Sequence, residues 1–234
     1  MTRRRILALL LAAASLALAG CGGTERHGGT ATLWVTRDRG SSVLVDTSVP
    51  AGQTLLRALR SKANVGTRYG GRFVQSIDGV DGSLGKRRDW FWFVNGVAGD
   101  RSAVEYRLRP GDVAWWDYRD WTKDADLAVV VGAFPEPFVH GYGGNVRPSA
   151  VVYRRPADRR RAAAIAKAIH ARRISRDVAG LPRDWNVFEL LPGPTQFVAR
   201  RRSGGRPTDP VLMTFSGNVG ALLAGAYARR FSVP

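Results

Sequence analysis

Residues 90–94 read Trp-Phe-Trp-Phe-Val and run directly into Asn95-Gly96. Successive side chains of an extended strand point to opposite faces, so the two Trp and the two Phe go to different sides of a sheet. Asn-Gly is the pair that a type I′ hairpin turn requires, because both of its central residues have positive φ. Trp115 and Trp116, in the β-rich run 113–118, are split between faces in the same way, and the turn Pro110-Gly111-Asp112 precedes them. The chain therefore needs a sheet with apolar cover on both sides, or it leaves one aromatic face open. One helix over a small sheet buries one face, and about half of these rings are then expected to be partly exposed. The candidate ligand surface is bordered by Trp90 or Trp92, by Trp115 or Trp116, and by Tyr118, with Asn95 at the sheet rim. The alternative is that the rings are core and the second face packs on the C-terminal region.

The neighbouring segments supply the rest of such a domain. Residues 31–36 and 42–49 are rich in β-formers around the turn Asp38-Arg39-Gly40 and read as a hairpin. Thr54 is an N-cap for a helix whose Leu55, Ala58 and Leu59 share a face and which ends near Asn64 and Gly66. Residues 73–77 form a further strand, with turns at Asp78-Gly79 and Asp81-Gly82. Hairpin, helix and then more strands is the order of a β-grasp-like α+β fold.

Four pieces carry a family resemblance: Ala-Gly-Gln-Thr-Leu-Leu-Arg-Ala-Leu at 51–59, Phe-Val-Gln-Ser-Ile-Asp-Gly-Val at 73–80, Trp-Phe-Trp-Phe-Val-Asn-Gly-Val at 90–97 and Leu-Arg-Pro-Gly-Asp-Val-Ala-Trp at 108–115. In this order they resemble the C-terminal β-domain of transcobalamin and intrinsic factor, which also occurs in bacterial surface lipoproteins. In the vertebrate members that domain closes over cobalamin held against a large helical domain, which has no counterpart here. The resemblance implies capture of a small ligand, with a corrinoid as the sharpest candidate, and its delivery to a membrane transporter. His140, in a Gly-rich loop, is the candidate axial ligand to cobalt, since imidazole is a common metal ligand.

The N-terminus places the chain outside the cytoplasm. Arg3-Arg4-Arg5 precede an apolar run at 6–18, too short to span a bilayer and read as a signal-peptide core. Leu18-Ala19-Gly20-Cys21 matches a bacterial lipobox, in which small residues fit the signal peptidase and the thiol accepts the lipid. Residues 1–20 are thus expected to be a lipoprotein signal peptide, and 21–30 a flexible tether to the extracytoplasmic face of the membrane. Cys21 is the one cysteine, so no intramolecular disulfide can form. Nucleic acid is a poor partner for a protein in this location.

Residues 31–123 constitute the β-grasp-like domain and 124–234 a second, basic α/β domain. From residue 127 onward there are 17 Arg and Lys against six Asp and Glu, within a chain whose net charge is +17. Of the 36 basic residues only four are Lys, a skew that a GC-rich genome produces without any function behind it. The other reading is attraction to anionic lipid or envelope polymer. Strands are expected at 127–131, 150–153 and 211–215, and a hairpin at 186–190 and 196–201 around Pro192-Gly193-Pro194. Helices are expected from Asp158 through Arg173 and from Asn218 through Tyr227. No Gly-x-Ser-x-Gly elbow, metal-ligand spacing or phosphate loop accompanies them, so the chain reads as non-catalytic and in need of no cofactor. The functional expectation is a surface lipoprotein binding a small ligand, or else a module binding protein or envelope polymer.

Overall fold

A computed structural model describes residues 28–234; the expected signal peptide and Cys21 lie outside the described residues. The first unit contains β1 (Thr30–Arg37), β2 (Ser42–Pro50), α1 (Leu55–Arg60), β3 (Val65–Arg68), β4 (Phe73–Ile77), β5 (Val80–Asp81), β6 (Arg88–Val94), β7 (Val97–Ala98) and β8 (Val113–Asp120). Its main sheet has the order β2-β1-β8-β6-β7, with β1 and β8 parallel at the centre. That is the mixed α+β, β-grasp-like arrangement the element order implied. β3, β4 and β5 make a separate small sheet beside it.

Local chemistry accounts for much of this. Thr54 Oγ1 accepts from Arg57 N at 3.2 Å, capping α1. The helix stops at Arg60, earlier than the Asn64-Gly66 signal implied, because Asn64 N donates instead to the Asp78 carboxylate at 2.7 Å and Gly66 enters β3. Asn95 and Gly96 take φ of 53° and 72°, the turn that their sequence requires. Gly96 is needed twice over, since a Cβ there would lie 2.7 Å from the Val130 carbonyl oxygen.

Alternation then sorts the side chains. Leu33 and Val35 of β1, Trp90 and Val94 of β6, and Trp116 and Tyr118 of β8 pack beneath Leu55, Leu56, Ala58 and Leu59 of α1. Trp34, Phe93 and Trp115 point the other way, onto Val130, Ala133 and Phe231 from the C-terminal half. Both faces of the sheet are therefore covered, and one apolar cluster joins the two halves of the chain. Arg229 reinforces the joint: its guanidinium lies 5.4 Å from the Trp34 ring centroid and 2.6 Å from the Asp46 carboxylate.

The second unit contains β9 (Ser149–Tyr153), α2 (Arg159–Ala168), β10 (Arg173–Ser175), β11 (Asn186–Leu190), β12 (Gln196–Arg201), β13 (Val211–Ser216) and α3 (Val219–Leu223), in the sheet order β10-β9-β11-β13-β12. Several expectations are corrected here. Residues 127–131 make one isolated bridge, Val97 to Val129, because β7 is only two residues long and offers no ladder to extend. α2 ends at Ala168 rather than at Arg173; His170 takes φ of 51°, which ends the helix, and Arg173 opens β10. β11 and β12 do not pair as a hairpin. β13, with Val211, Met213 and Phe215 all buried, lies parallel to β11 and takes the inner position. β12 alternates exposed and buried residues and so suits the edge. α3 is capped by Asn218 Oδ1 on Ala221 N at 3.2 Å but stops at Leu223, with Gly225 at φ 80° two residues on.

Candidate functional site

The expected partial exposure holds only for Phe91 and Trp92; α1 covers Trp90, Trp116 and Tyr118, and the C-terminal half covers Trp115 on the second face. Trp90, Trp115, Trp116 and Tyr118 are all buried, and Trp92 is half-buried. Their polar ends are mostly engaged in the fold. Trp90 Nε1 donates to the Val80 carbonyl at 2.8 Å, and the Tyr118 hydroxyl donates to that of Asp81 at 3.0 Å, tying β5 to the main sheet. Trp115 Nε1 donates to Thr36 Oγ1 at 2.7 Å, and that hydroxyl donates to Asp117 at 2.5 Å. Asp117 also accepts from the backbone N–H groups of Arg39 and Gly40 at 3.1 Å each, while burial raises its pKa above the usual carboxylate range.

Asn95 is fully buried and is not at an open rim. Its Nδ2 donates to Asp112 at 2.8 Å and to the Gly141 carbonyl at 2.6 Å, and its Oδ1 accepts from Val113 N at 2.8 Å. Asp112 further accepts from Arg109 N at 2.8 Å, and burial raises its pKa. His140 belongs to this same junction. Its Nδ1 bonds Glu136, whose pKa burial also raises, and its Nε2 lies over Gly111, where a Cβ would stand 2.4 Å away. Among the described residues no three His, Cys, Asp or Glu side chains converge as a metal set.

Of the expected residues, Trp90, Trp92 and Trp116 share a cleft; Asn95, Trp115, Tyr118 and His140 do not line it. The cleft has a volume of about 350 Å³ and follows the outer edge of β6. β7 pairs with β6 only at Phe93 and Val94, and at the other end Ser83 bridges Arg88, so the edge between has no strand partner among the described residues. Because the cleft wraps a strand edge, its walls come from both faces of the sheet. Phe91, Arg119 and Leu127 lie on one side, and Trp92, Trp116 and Val74 on the other. The Trp92 ring centroid is 6.5 Å from that of Trp116 and 5.7 Å from that of Tyr106. Asp89, in the wall, has its pKa raised by burial, and its Oδ1 accepts from Trp90 N at 2.8 Å.

Phe91, Asp89 and Arg119 were absent from the sequence-derived set. Alternation was the one signal available: Asp117 and Arg119 fall on the same face as Trp115, which puts charge in a strand otherwise made of large rings. That β6 stays unpaired along this edge depends on how briefly β7 continues after the turn, which no local pattern states.

Residues 52–120, from the turn before α1 to the end of β8, match the family of a domain of unknown function, DUF4430. Most of the cleft wall falls inside this stretch; Ala125 and Leu127 fall outside it. No curated protein matches the sequence. Among solved structures, a candidate metal-binding protein from Ruminococcus gnavus is similar at 17% identity and a TM-score of 0.34, covering 39% of this chain and 97% of that one. Haptocorrin in complex with Cbi is similar at 16% identity and a TM-score of 0.33. That match covers 38% of this chain, and this chain spans only 24% of haptocorrin.

Proposed function

We propose that this chain is a non-catalytic binding protein, held at the extracytoplasmic face of a membrane by lipid on Cys21, that takes a small flat ligand in the cleft beside β6. The observation that carries the reading is the aromatic wall of that cleft. Trp92 and Phe91 are the half-buried rings of a sheet whose other large aromatics are core, and exposed ring faces suit conjugated ligands. A volume of about 350 Å³ is at the small end of the range for small-molecule sites, ~300–1,000 Å³. A corrinoid would accordingly be held by one edge of its macrocycle, with the rest at the mouth, ready to pass to a membrane transporter.

The test uses the chain beginning at Gly22, which keeps every residue of the three sheets. Cobinamide and cobalamin are added separately while corrinoid absorbance and Trp fluorescence are followed. Binding is expected of cobalamin, whose nucleotide loop carries a phosphate, and Trp92→Ala should weaken it roughly tenfold, given ~1–3 kcal/mol per stacked ring, while the variant keeps a cooperative melt. Unmoved spectra overturn the corrinoid assignment, and equal binding by Trp92→Ala puts the ligand elsewhere.

The anchor is tested by itself. Wild-type chain should partition with membranes and into detergent, whereas Cys21→Ala should not, since no other residue can take the thioether-linked lipid. A Cys21→Ala chain still on the membrane after a high-salt wash would sink the lipoprotein assignment.

A further inference from the structure

On the Phe91 side of the cleft lies a cation whose Nε and Nη1 have no hydrogen-bond partner among the described residues. The Arg119 side chain is 1% exposed, and its Nε and Nη1 are buried without an acceptor. The nearest carboxylate oxygen, Oδ1 of Asp124, is 3.7 Å from Nε, an ion-pair separation beyond hydrogen-bond distance; that oxygen is itself buried and unpartnered, while Oδ2 accepts from Arg39 Nε at 3.0 Å. Three rings surround the guanidinium, with centroids at 4.0 Å for Phe91, 5.5 Å for Phe93 and 5.2 Å for Phe231. Cation–π contact offsets only part of the cost of removing such a charge from water. Across the strand edge, Trp116 Nε1 is also buried and unpartnered. Both residues line the cleft, whereas the two other arginines of its wall hydrogen-bond to acids, Arg72 to Glu105 and Arg101 to Asp100.

Resting on the reading of this cleft as a small-ligand site, we propose that its ligand is a flat molecule bearing an anionic group, a carboxylate, sulfonate or phosphate, which Arg119 receives. The anion supplies the acceptors that Nε and Nη1 lack, and a charge-assisted bond in a water-poor wall is stronger than a neutral one. Trp116 Nε1–H remains as a donor for a polar group on the Trp92 side. Asp89 is the one carboxylate in the wall, and it faces β6's own backbone through its bond to Trp90 N. The ligand's charge is therefore read by Arg119 and its flat body by the rings.

Two dyes sharing one ring system isolate the charge. 1-Anilinonaphthalene-8-sulfonate carries a sulfonate, and N-phenyl-1-naphthylamine does not. With the chain beginning at Gly22, the sulfonate is expected to bind at least about tenfold more tightly than the neutral dye, in keeping with a charged hydrogen bond. Arg119→Met, which keeps the stem's packing, should erase that preference and leave the neutral dye's affinity within about twofold. Asp124→Asn removes the competing carboxylate and should tighten sulfonate binding severalfold, which keeps the proposal testable should Arg119→Met fail to fold. Equal binding of the two dyes, a preference that survives in Arg119→Met, or an unchanged Asp124→Asn overturns the role of Arg119 while leaving the cleft intact as a site. Failure of both dyes to bind wild-type protein overturns the reading of the cleft itself.

Discussion

Asn95→Asp is expected to cost about 3–5 kcal/mol near neutral pH, the range seen when a buried charge is left without compensation, and to recover much of it on acidification. The backbone tolerates the change: φ at position 95 is 53°, a conformation that Asp adopts about as readily as Asn. What changes is the chemistry. Nδ2 now donates to both Asp112 and the Gly141 carbonyl. A carboxylate there loses both donors and sets a second negative charge against Asp112, whose pKa burial already raises. Two adjacent buried carboxylates cannot both ionise easily, so the folded pair holds a proton that the unfolded chain releases. Its folded pKa is raised. The pair's stability contribution is therefore present below the unfolded carboxylate range, around 4, and is lost as pH rises through the folded value. Denaturation midpoints of wild type and variant should converge as pH falls from about 7 toward 5. A gap that stays constant across that window, or a loss under about 1 kcal/mol, would show that the junction of Asn95, Asp112 and Gly141 is not a closed buried network.

Trp115→Ala should remove about 3–5 kcal/mol, the usual cost of truncating a fully buried Trp, and the loss should reach both halves of the chain. Trp115 is completely buried and meets Trp34 at 5.6 Å and Phe231 at 5.0 Å, both edge to face, with Phe93 tilted at 6.1 Å. Phe231 comes from the last residues of the chain and Trp34 from the first strand, so the ring is the centre of the joint. Its removal also leaves Thr36 Oγ1 without the indole donor beside buried Asp117. Trp116→Ala is the comparison, since that ring packs beneath α1, on the opposite face from Phe231 and the joint. Calorimetry of wild type should show one transition, and of Trp115→Ala an earlier and broader one that separates the two units. A single unbroadened transition within about 2 °C of wild type would rule out a shared joint of this size.

Local pattern in the sequence determined a good deal of this protein. The split of the aromatics of residues 90–93, the Asn95-Gly96 turn, the Thr54 and Asn218 caps and the apolar face of α1 all follow from residues within a few positions of one another, where φ preference, capping and alternation act. The α+β class and the parallel β1–β8 centre agree with that element order. Tertiary structure decided everything that depends on which distant segment arrives. It placed Val130, Ala133 and Phe231 on the second face of the sheet, turning Trp115 from a candidate surface ring into core. It brought Gly141 and Asp112 to Asn95, consuming an amide that the sequence left free for a ligand. It put the apolar β13 between β11 and β12, where the sequence showed only two strands near a Pro-Gly-Pro turn. It also ended β7 after two residues, and that short strand leaves the edge of β6 open and makes the cleft. Strand pairing and face coverage are choices among remote partners with similar local patterns, settled by total burial and not by any residue's own preference.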